Sequence, residues 1–402
     1  MTRRLVALHV PNEAFGAHLR RVWETGDAVL PLPWSSSQIP AAARPAQDLV
    51  SALWPDDLVD ETGVLDLCRD GDGPDADGPA SHKRLVSDCA LVVTTSGSTG
   101  APKGVMLTHA ALAASTRASV EYLAAAHGDR FALALPLHHV AGIQVLLRSW
   151  RSGTEPEYLP ADDPAAITAS QATHISLVPT QAEQVLARQP EWLPWTTILL
   201  GGGPASAQTI VGLHAAGPRV VTSYGMTETC GGCVYDGVPI GQAKVRIERN
   251  GRIAIAGPMM FSGYLDSGQG SSPGSCNGWF TSNDLGELDD QGRLRVHGRA
   301  DDIIVSGGEN IPASPIAQAV RSYPGVTDAA VIGVPDRRWG YAIVAFVVSN
   351  REIDPDALLT HVRAALPRGH SPKRLLFVDA IPTTGLGKPD RQALETLATS
   401  RH

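Results

Sequence analysis

Short apolar runs that end in glycine-, proline- or histidine-bearing turns recur through the first two thirds of the chain. Residues 90–93, 131–135, 172–178, 198–200 and 219–222 each read as a strand. Between them, Thr108 can cap an alanine-rich helix that runs to about Ala126 and stops before Gly128. Apolar residues at helical spacing follow the turn at Pro179, through Val185 and Leu186. Alternation at Val245, Ile247, Ile253 and Ile255 predicts a small antiparallel sheet within 241–263. Residues 292–297, 326–334 and 342–348 read as further strands, and 353–366 as an amphipathic helix with Asp354 near its start. Residues 1–80 carry the least pattern. Within them, 30–33 and 35–40 are turn-rich, and Asp70–Pro79 reads as a solvated acidic linker without the terminal glutamate of a calcium loop.

Composition narrows the class. A chain of 402 residues has room for two or more domains, and 43% hydrophobic with 18% charged residues is ordinary for a globular protein. A net charge of -8 gives no reason to expect nucleic acid as a partner. No apolar run reaches the ~18 residues of a membrane span, and Met1–Val10 lacks the apolar core of a signal peptide. Five scattered cysteines fit a reducing, cytoplasmic setting. Cys230 and Cys233 form a close pair, but Cys68, Cys89 and Cys276 supply no second pair for zinc, so structural thiols are expected. The sequence leaves the oligomeric state open between monomer and homo-oligomer.

The densest chemical signal is Thr94–Gly104. Strand, glycine-rich turn and helix is the order that lays backbone N–H groups around a phosphate. Ser96, Ser98 and Thr99 add hydroxyls, and Lys103 adds a point charge. The lysine stands between Pro102 and Gly104, which is not the Walker arrangement. We read the run as a nucleotide-phosphate loop. Further on, Pro136–Gly142 delivers His138 and His139 at a strand end, and Arg148 and Arg151 flank Trp150. An arginine there could clamp a substrate carboxylate, but as a bare observation a surface ion pair is the favoured reading. Gly201, Gly202 and Gly203 follow a buried strand, where backbone can lie against a planar ligand. Tyr224-Gly225-Met226-Thr227-Glu228 offers a ring face, a hydroxyl and a hard oxygen ligand.

These motifs, in this order over residues 85–392, resemble the acyl-adenylate-forming superfamily of acyl-CoA ligases, luciferases and adenylation domains. The wording Thr173-His174-Ile175-Ser176-Leu177-Val178-Pro179-Thr180-Gln181 is similar to the o-succinylbenzoate–CoA ligases of menaquinone biosynthesis. The resemblance implies an α/β fold, with a large N-terminal domain of mixed sheets and helices, 1–298. A small mobile α+β domain, 299–402, would pivot near Asp301. It further implies that Thr95, Ser96, Gly97, Ser98, Thr99, Gly100 and Lys103 hold phosphates, and that Gly201–Gly203, Tyr224 and Gly225 border the adenine. Thr227 would meet the α-phosphate, Glu228 and Thr99 would serve Mg2+, and His139 would lie beside the reacting carboxylate. Asp284 would bind the ribose and Arg299 the ribose or phosphate. Ser306, Gly307 and Gly308 would line the pantetheine tunnel, and Lys388, in Ile381–Arg391, would be the catalytic lysine. The chain departs from the family wording twice. Ser282 and Asn283 replace Thr and Gly before Asp284, and Ala313-Ser314-Pro315-Ile316 replaces a glutamate-bearing helix start.

The chemistry implied is adenylation of a carboxylic acid by ATP with Mg2+, then transfer of the acyl group to coenzyme A. The acid expected is 2-succinylbenzoate. The alternatives are another aromatic or short-chain acid, an amino-acid adenylation domain serving a carrier protein, or a nucleotide-binding relative that has lost turnover.

Overall fold

A computed structural model describes residues 3–34, 53, 55–60, 63–66, 85–96, 102–189, 193–265, 275–276, 278–382 and 389–400. The linker 70–79, most of the serine-glycine loop 267–278, the loop 97–101 and the segment 383–388 with Lys388 lie outside the described residues. Two compact units divide the chain. One comprises 1–245, 255–280 and 290–294, the other 246–254, 281–289 and 295–402.

Among the described residues, the first unit holds two seven-stranded sheets. In one, the order is Gly263–Leu265, Pro102–Thr108, Cys89–Ser96, Ala28–Pro31, Leu5–Leu8, Asp57–Asp60, Gly63–Asp66. The other runs Val238–Pro239, Gly231–Tyr235, Arg219–Met226, Thr197–Leu200, His174–Leu177, Phe131–Leu133, Glu157–Tyr158. Its strands 131–133, 174–177, 197–200 and 219–226 are parallel neighbours. Strands buried on both faces need continuous apolar sequence rather than alternation, as in Thr-Ile-Leu-Leu at 197–200, where every residue is buried. Helices His109–Leu123 and Val140–Arg151 contribute Leu112, Ile143 and Leu146 to a core that Leu91, Val93, Phe131 and Leu133 of both sheets share. The Thr108 hydroxyl caps the first helix by accepting from Ala111 N at 3.1 Å.

The sequence reading did not place the strand that stands between the glycine-rich run and the helix. Cys89–Ser96 and Pro102–Thr108 pair antiparallel, with Thr95 opposite Lys103 and Ser96 opposite Pro102. Val105, Met106 and Leu107 are buried and select a strand. Gly104 permits the close packing, because a Cβ there would stand 2.7 Å from Val92 and 3.2 Å from Leu265. The helix follows this strand and opens at His109, with Thr108 as its cap, as expected.

In the second unit, strands Glu309–Pro312, Ile303–Ser306, Gly340–Ser349 and Val326–Asp336 form a sheet, with Arg374–Phe377 parallel to 340–349. Period-two alternation divides its faces. Ala329, Val331, Ile343, Ala345 and Val347 meet helices Ala313–Arg321 and Pro355–Ala365. Ala330, Ile332, Val344 and Phe346 meet Leu394 and Ala398 of helix Arg391–Ser400. Asp354 caps its helix as expected, its carboxylate accepting from Asp356 N. Among the described residues, no helix is long and apolar enough to cross a membrane.

Candidate active site

Topology gathers most of the motifs of the first unit along one edge. Segments 136–142, 178–181, 201–203 and 224–228 leave or extend the carboxyl ends of the parallel strands 131–133, 174–177, 197–200 and 219–226. This is the edge at which open α/β sheets bind ligands. Leu200 pairs with Thr222, so Gly201 lies beside Ser223, and a Cβ on Gly201 would stand 3.2 Å from the Ser223 Cβ. The strand is longer than expected. It continues to Met226 and so carries Tyr224 and Gly225 itself. Gly225 tolerates no side chain, since a Cβ would meet Gly231 O at 2.0 Å. Thr227 and Glu228 then occupy a single 3-10 turn, closed by Cys230 in the left-handed region. Thr229, fully buried, accepts from Met226 N at 2.9 Å and so fixes that turn.

Glu228 accepts a hydrogen bond from Tyr264 Oη at 2.9 Å. Lys103, exposed on its strand, stands over the Tyr264 ring with Nζ 5.6 Å from the centroid. Among the described residues no group of three His, Cys, Asp or Glu side chains is placed to hold a metal. One partly buried carboxylate suits Mg2+, which keeps several waters and completes its shell with substrate phosphates.

The turn at 136–142 is held tight by Gly142, where a Cβ would meet Pro136 O at 2.3 Å. His139 precedes the helix Val140–Arg151, and its ring lies 4.3 Å from that of His138. Desolvation, then the neighbouring His139, pushes His138 down from 6.5 to about 4. The unfolded chain therefore takes a proton below pH 6.5 that the native state refuses until about pH 4, so stability falls across that window. The loss expected from this half-buried group is about 2 kcal/mol. Thermal melts from pH 8 to 4 check it: His138→Gln should flatten the acid slope relative to the parent protein.

Arg148 corrects the surface ion pair expected for it. The side chain is 3% exposed, projecting from the helix into the core. Nη2 donates to Ser176 Oγ at 2.9 Å and Nη1 to Ser119 Oγ at 3.4 Å. Ser119 is bonded in turn to Tyr235 Oη at 2.8 Å. Its Nε has no hydrogen-bond partner, and the partners of its other nitrogens are neutral hydroxyls. Desolvation pulls the guanidinium down from its usual range and the Tyr235 hydroxyl pushes it up. A buried cation among neutral hydroxyls is costly unless an anion joins it. Arg151, by contrast, is exposed. Cys230 and Cys233 are buried, and burial raises both thiols, so they are inert packing groups.

In the second unit, Asp284 lies within the strand Trp279–Leu288, partly buried. The departure at Asn283 needs no left-handed turn, because the backbone there is an extended strand and Asn283 has no positive φ. Instead Asn283 Nδ2 donates to Asp301 Oδ2 at 2.8 Å. Arg299 Nη2 donates to the same oxygen at 3.1 Å, and Arg391 Nη1 to the Asp301 carbonyl at 2.9 Å. Against desolvation, which lowers it, Arg299 is raised by the Asp301 bond and by the charges of Asp284, Asp301 and Asp302. Ser306 is buried at a strand end, and Gly307 and Gly308 turn with φ of +62° and +84°. Gly307 N donates to Trp339 O at 2.9 Å. Over the Trp339 ring stand Arg338, 4.9 Å, and Lys373, 4.7 Å, from the centroid. The sequence reading did not single out Tyr264, Trp339 or Lys373. Strand register and ring contacts reveal them, and neither leaves a local sequence signal.

The profile of the family described as AMP-binding enzyme matches residues 40–265, and that of the AMP-binding enzyme C-terminal domain matches 316–388. The chain belongs to the AMP-binding enzyme family. This AMP-binding enzyme is 39% identical over 329 residues to a Mycobacterium tuberculosis protein named "Probable 2-succinylbenzoate--CoA ligase". That match covers 78% of this chain and 85% of the relative. A Listeria monocytogenes protein named 2-succinylbenzoate--CoA ligase is 34% identical, with 77% and 70% covered. Among solved structures, Bacillus subtilis o-succinylbenzoate CoA synthetase (MenE) with its acyl-adenylate intermediate OSB-AMP superposes with a TM-score of 0.81 at 24% identity. It covers 98% of this chain and 88% of that one. ATP-bound MatB from Rhodopseudomonas palustris gives 0.78 at 24%, covering 99% and 89%. The AMP-binding enzyme therefore has the adenylate-forming fold those structures share.

Proposed function

We propose that this AMP-binding enzyme is an ATP-dependent acid–CoA ligase that converts 2-succinylbenzoate into its CoA thioester, a step of menaquinone biosynthesis. The observation that carries this reading is the match over more than three quarters of the chain to the mycobacterial and listerial relatives of that name. Arg148 supports the choice of acid. A dicarboxylate has a second anionic group beyond the one that reacts, and a buried guanidinium with neutral partners is complementary to it. ATP and CoA as substrates agree with a cytoplasmic setting.

The steps need positioning and charge neutralisation rather than a side-chain nucleophile. A carboxylate oxygen of the acid attacks the α-phosphorus of ATP, and pyrophosphate leaves. Lys103 and the hydroxyls of Thr95, Ser96, Ser98 and Thr99 hold the β- and γ-phosphates, with Gly97 and Gly100 bringing backbone N–H groups close. Glu228 and Thr99 would hold Mg2+, which would supply positive charge against the phosphates. Tyr224 stacks on the adenine against the backbone of Gly201, Gly202, Gly203 and Gly225, Thr227 bonds the α-phosphate, and Asp284 and Arg299 hold the ribose. His139 borders the reacting carboxylate, and Lys388 bridges that carboxylate and the α-phosphate. In the second half-reaction the CoA thiol attacks the acyl carbon and AMP leaves. The small domain, 299–402, rotates about Asp301 between the two steps, withdraws Lys388 and brings Ser306–Gly308 to the pantetheine. Arg338 and Lys373 on the Trp339 ring supply cations beside that segment for the phosphates of CoA.

Product analysis tests the reading. With ATP, Mg2+, CoA and 2-succinylbenzoate, AMP, pyrophosphate and an aryl CoA thioester should accumulate together. AMP release that requires a different acid would keep the chemistry and discard the substrate.

A further inference from the structure

Tyr264 touches both the phosphate loop's lysine and the metal-binding carboxylate, though it belongs to neither motif. It lies on Gly263–Leu265, antiparallel to Pro102–Thr108 and opposite Val105. Lys103 precedes Val105 by two positions, so its side chain falls on the same face, diagonal to Tyr264. The tyrosine ring accordingly lies under Lys103 Nζ, 5.6 Å from it, within cation–π range. Its hydroxyl reaches the other way and donates to Glu228 Oε1 at 2.9 Å. Phe261 N donates to the Glu228 carbonyl at 2.9 Å, and the Phe261 ring packs 5.1 Å from that of Tyr264. One short segment thus holds Glu228 by main chain and by side chain.

We propose that Tyr264 is a positioning residue of the nucleotide site: its hydroxyl fixes the Glu228 carboxylate for the divalent cation, while its ring seats Lys103 for the phosphates. This rests on the reading of Glu228 as the Mg2+ ligand given above. With Oε1 engaged by the hydroxyl, the carboxylate is held in a fixed orientation. Outer hydrogen bonds to a metal-binding carboxylate set its direction, and their loss weakens metal binding about 10- to 100-fold.

The test is calorimetric titration of ATP binding at varied Mg2+, with acid and CoA absent so that no turnover occurs. For Tyr264→Phe, which keeps the ring, the Mg2+ midpoint should rise roughly 10-fold or more while Mg2+-free ATP binding stays as in the parent. For Tyr264→Leu, which also removes the seat of Lys103, ATP binding should weaken without Mg2+ as well. Glu228→Gln is the control. If it shifts the midpoint and Tyr264→Phe does not, the positioning role is wrong and Glu228 stands as ligand. If Glu228→Gln leaves the midpoint in place, the ligand assignment fails and this inference fails with it. A lower melting temperature of Tyr264→Phe with an unmoved midpoint marks the hydroxyl as structural only.

Discussion

Lys388→Ala is expected to lower adenylate formation about 100- to 1,000-fold, the loss typical of removing one preorganised charge from a developing oxyanion. Thioester formation from supplied acyl-adenylate should stay within about threefold of the parent, since binding and CoA attack do not use that group. The physical reason is directional. Negative carboxylate and phosphate oxygens must approach one another in the first half-reaction, and a cation bridging them lowers that barrier. In the second half-reaction the thiol must enter the same space, and an ammonium there contributes nothing. Rapid-quench measurement of each half-reaction separates the two. Equal loss in both would contradict a domain rotation that withdraws the lysine.

Arg148→Met should raise the KM for 2-succinylbenzoate about 10- to 100-fold, the worth of one charged hydrogen-bonding partner. ATP affinity should be unaltered, and a monocarboxylate such as benzoate should lose nothing. Stability should move the other way. The parent protein holds a guanidinium that is 3% exposed with neutral partners, and an apolar side chain of similar length relieves that desolvation. A melting temperature equal to or above the parent's, with poorer use of the dicarboxylate, is the expected pair of results. A lowered melting temperature with unchanged acid preference would make Arg148 part of the core and nothing more.

The burial of Arg148 leaves no local mark in the sequence. An arginine three residues from a helix end, beside Trp150 and Arg151, looks solvated in one dimension. Its burial is set by Ser119, Ser176 and Tyr235, which come from a second helix and two strands far apart in sequence. The motif segments were legible because each places a glycine or short polar run at the end of an apolar strand. The parallel order of those strands then carries them to one edge. Pro102–Thr108 was not placed as a strand, because its apolar run Val105–Leu107 is too short to declare itself, and pairing with Cys89–Ser96 makes it one. Asn283 shows a third case. It stands where the family carries Gly, yet the strand Trp279–Leu288 continues through it and its amide donates to Asp301. Tyr264 had no motif at all, and only the register opposite Val105 brings it to Lys103.

Acid-dependent ATP–pyrophosphate exchange over 2-succinylbenzoate, benzoate and short fatty acids, run with and without CoA, tests the proposed chemistry most directly. Exchange with 2-succinylbenzoate alone, diverted to a CoA thioester once CoA is added, is the predicted result. Exchange with none of the acids would contradict an adenylating enzyme and leave a nucleotide-binding protein without turnover.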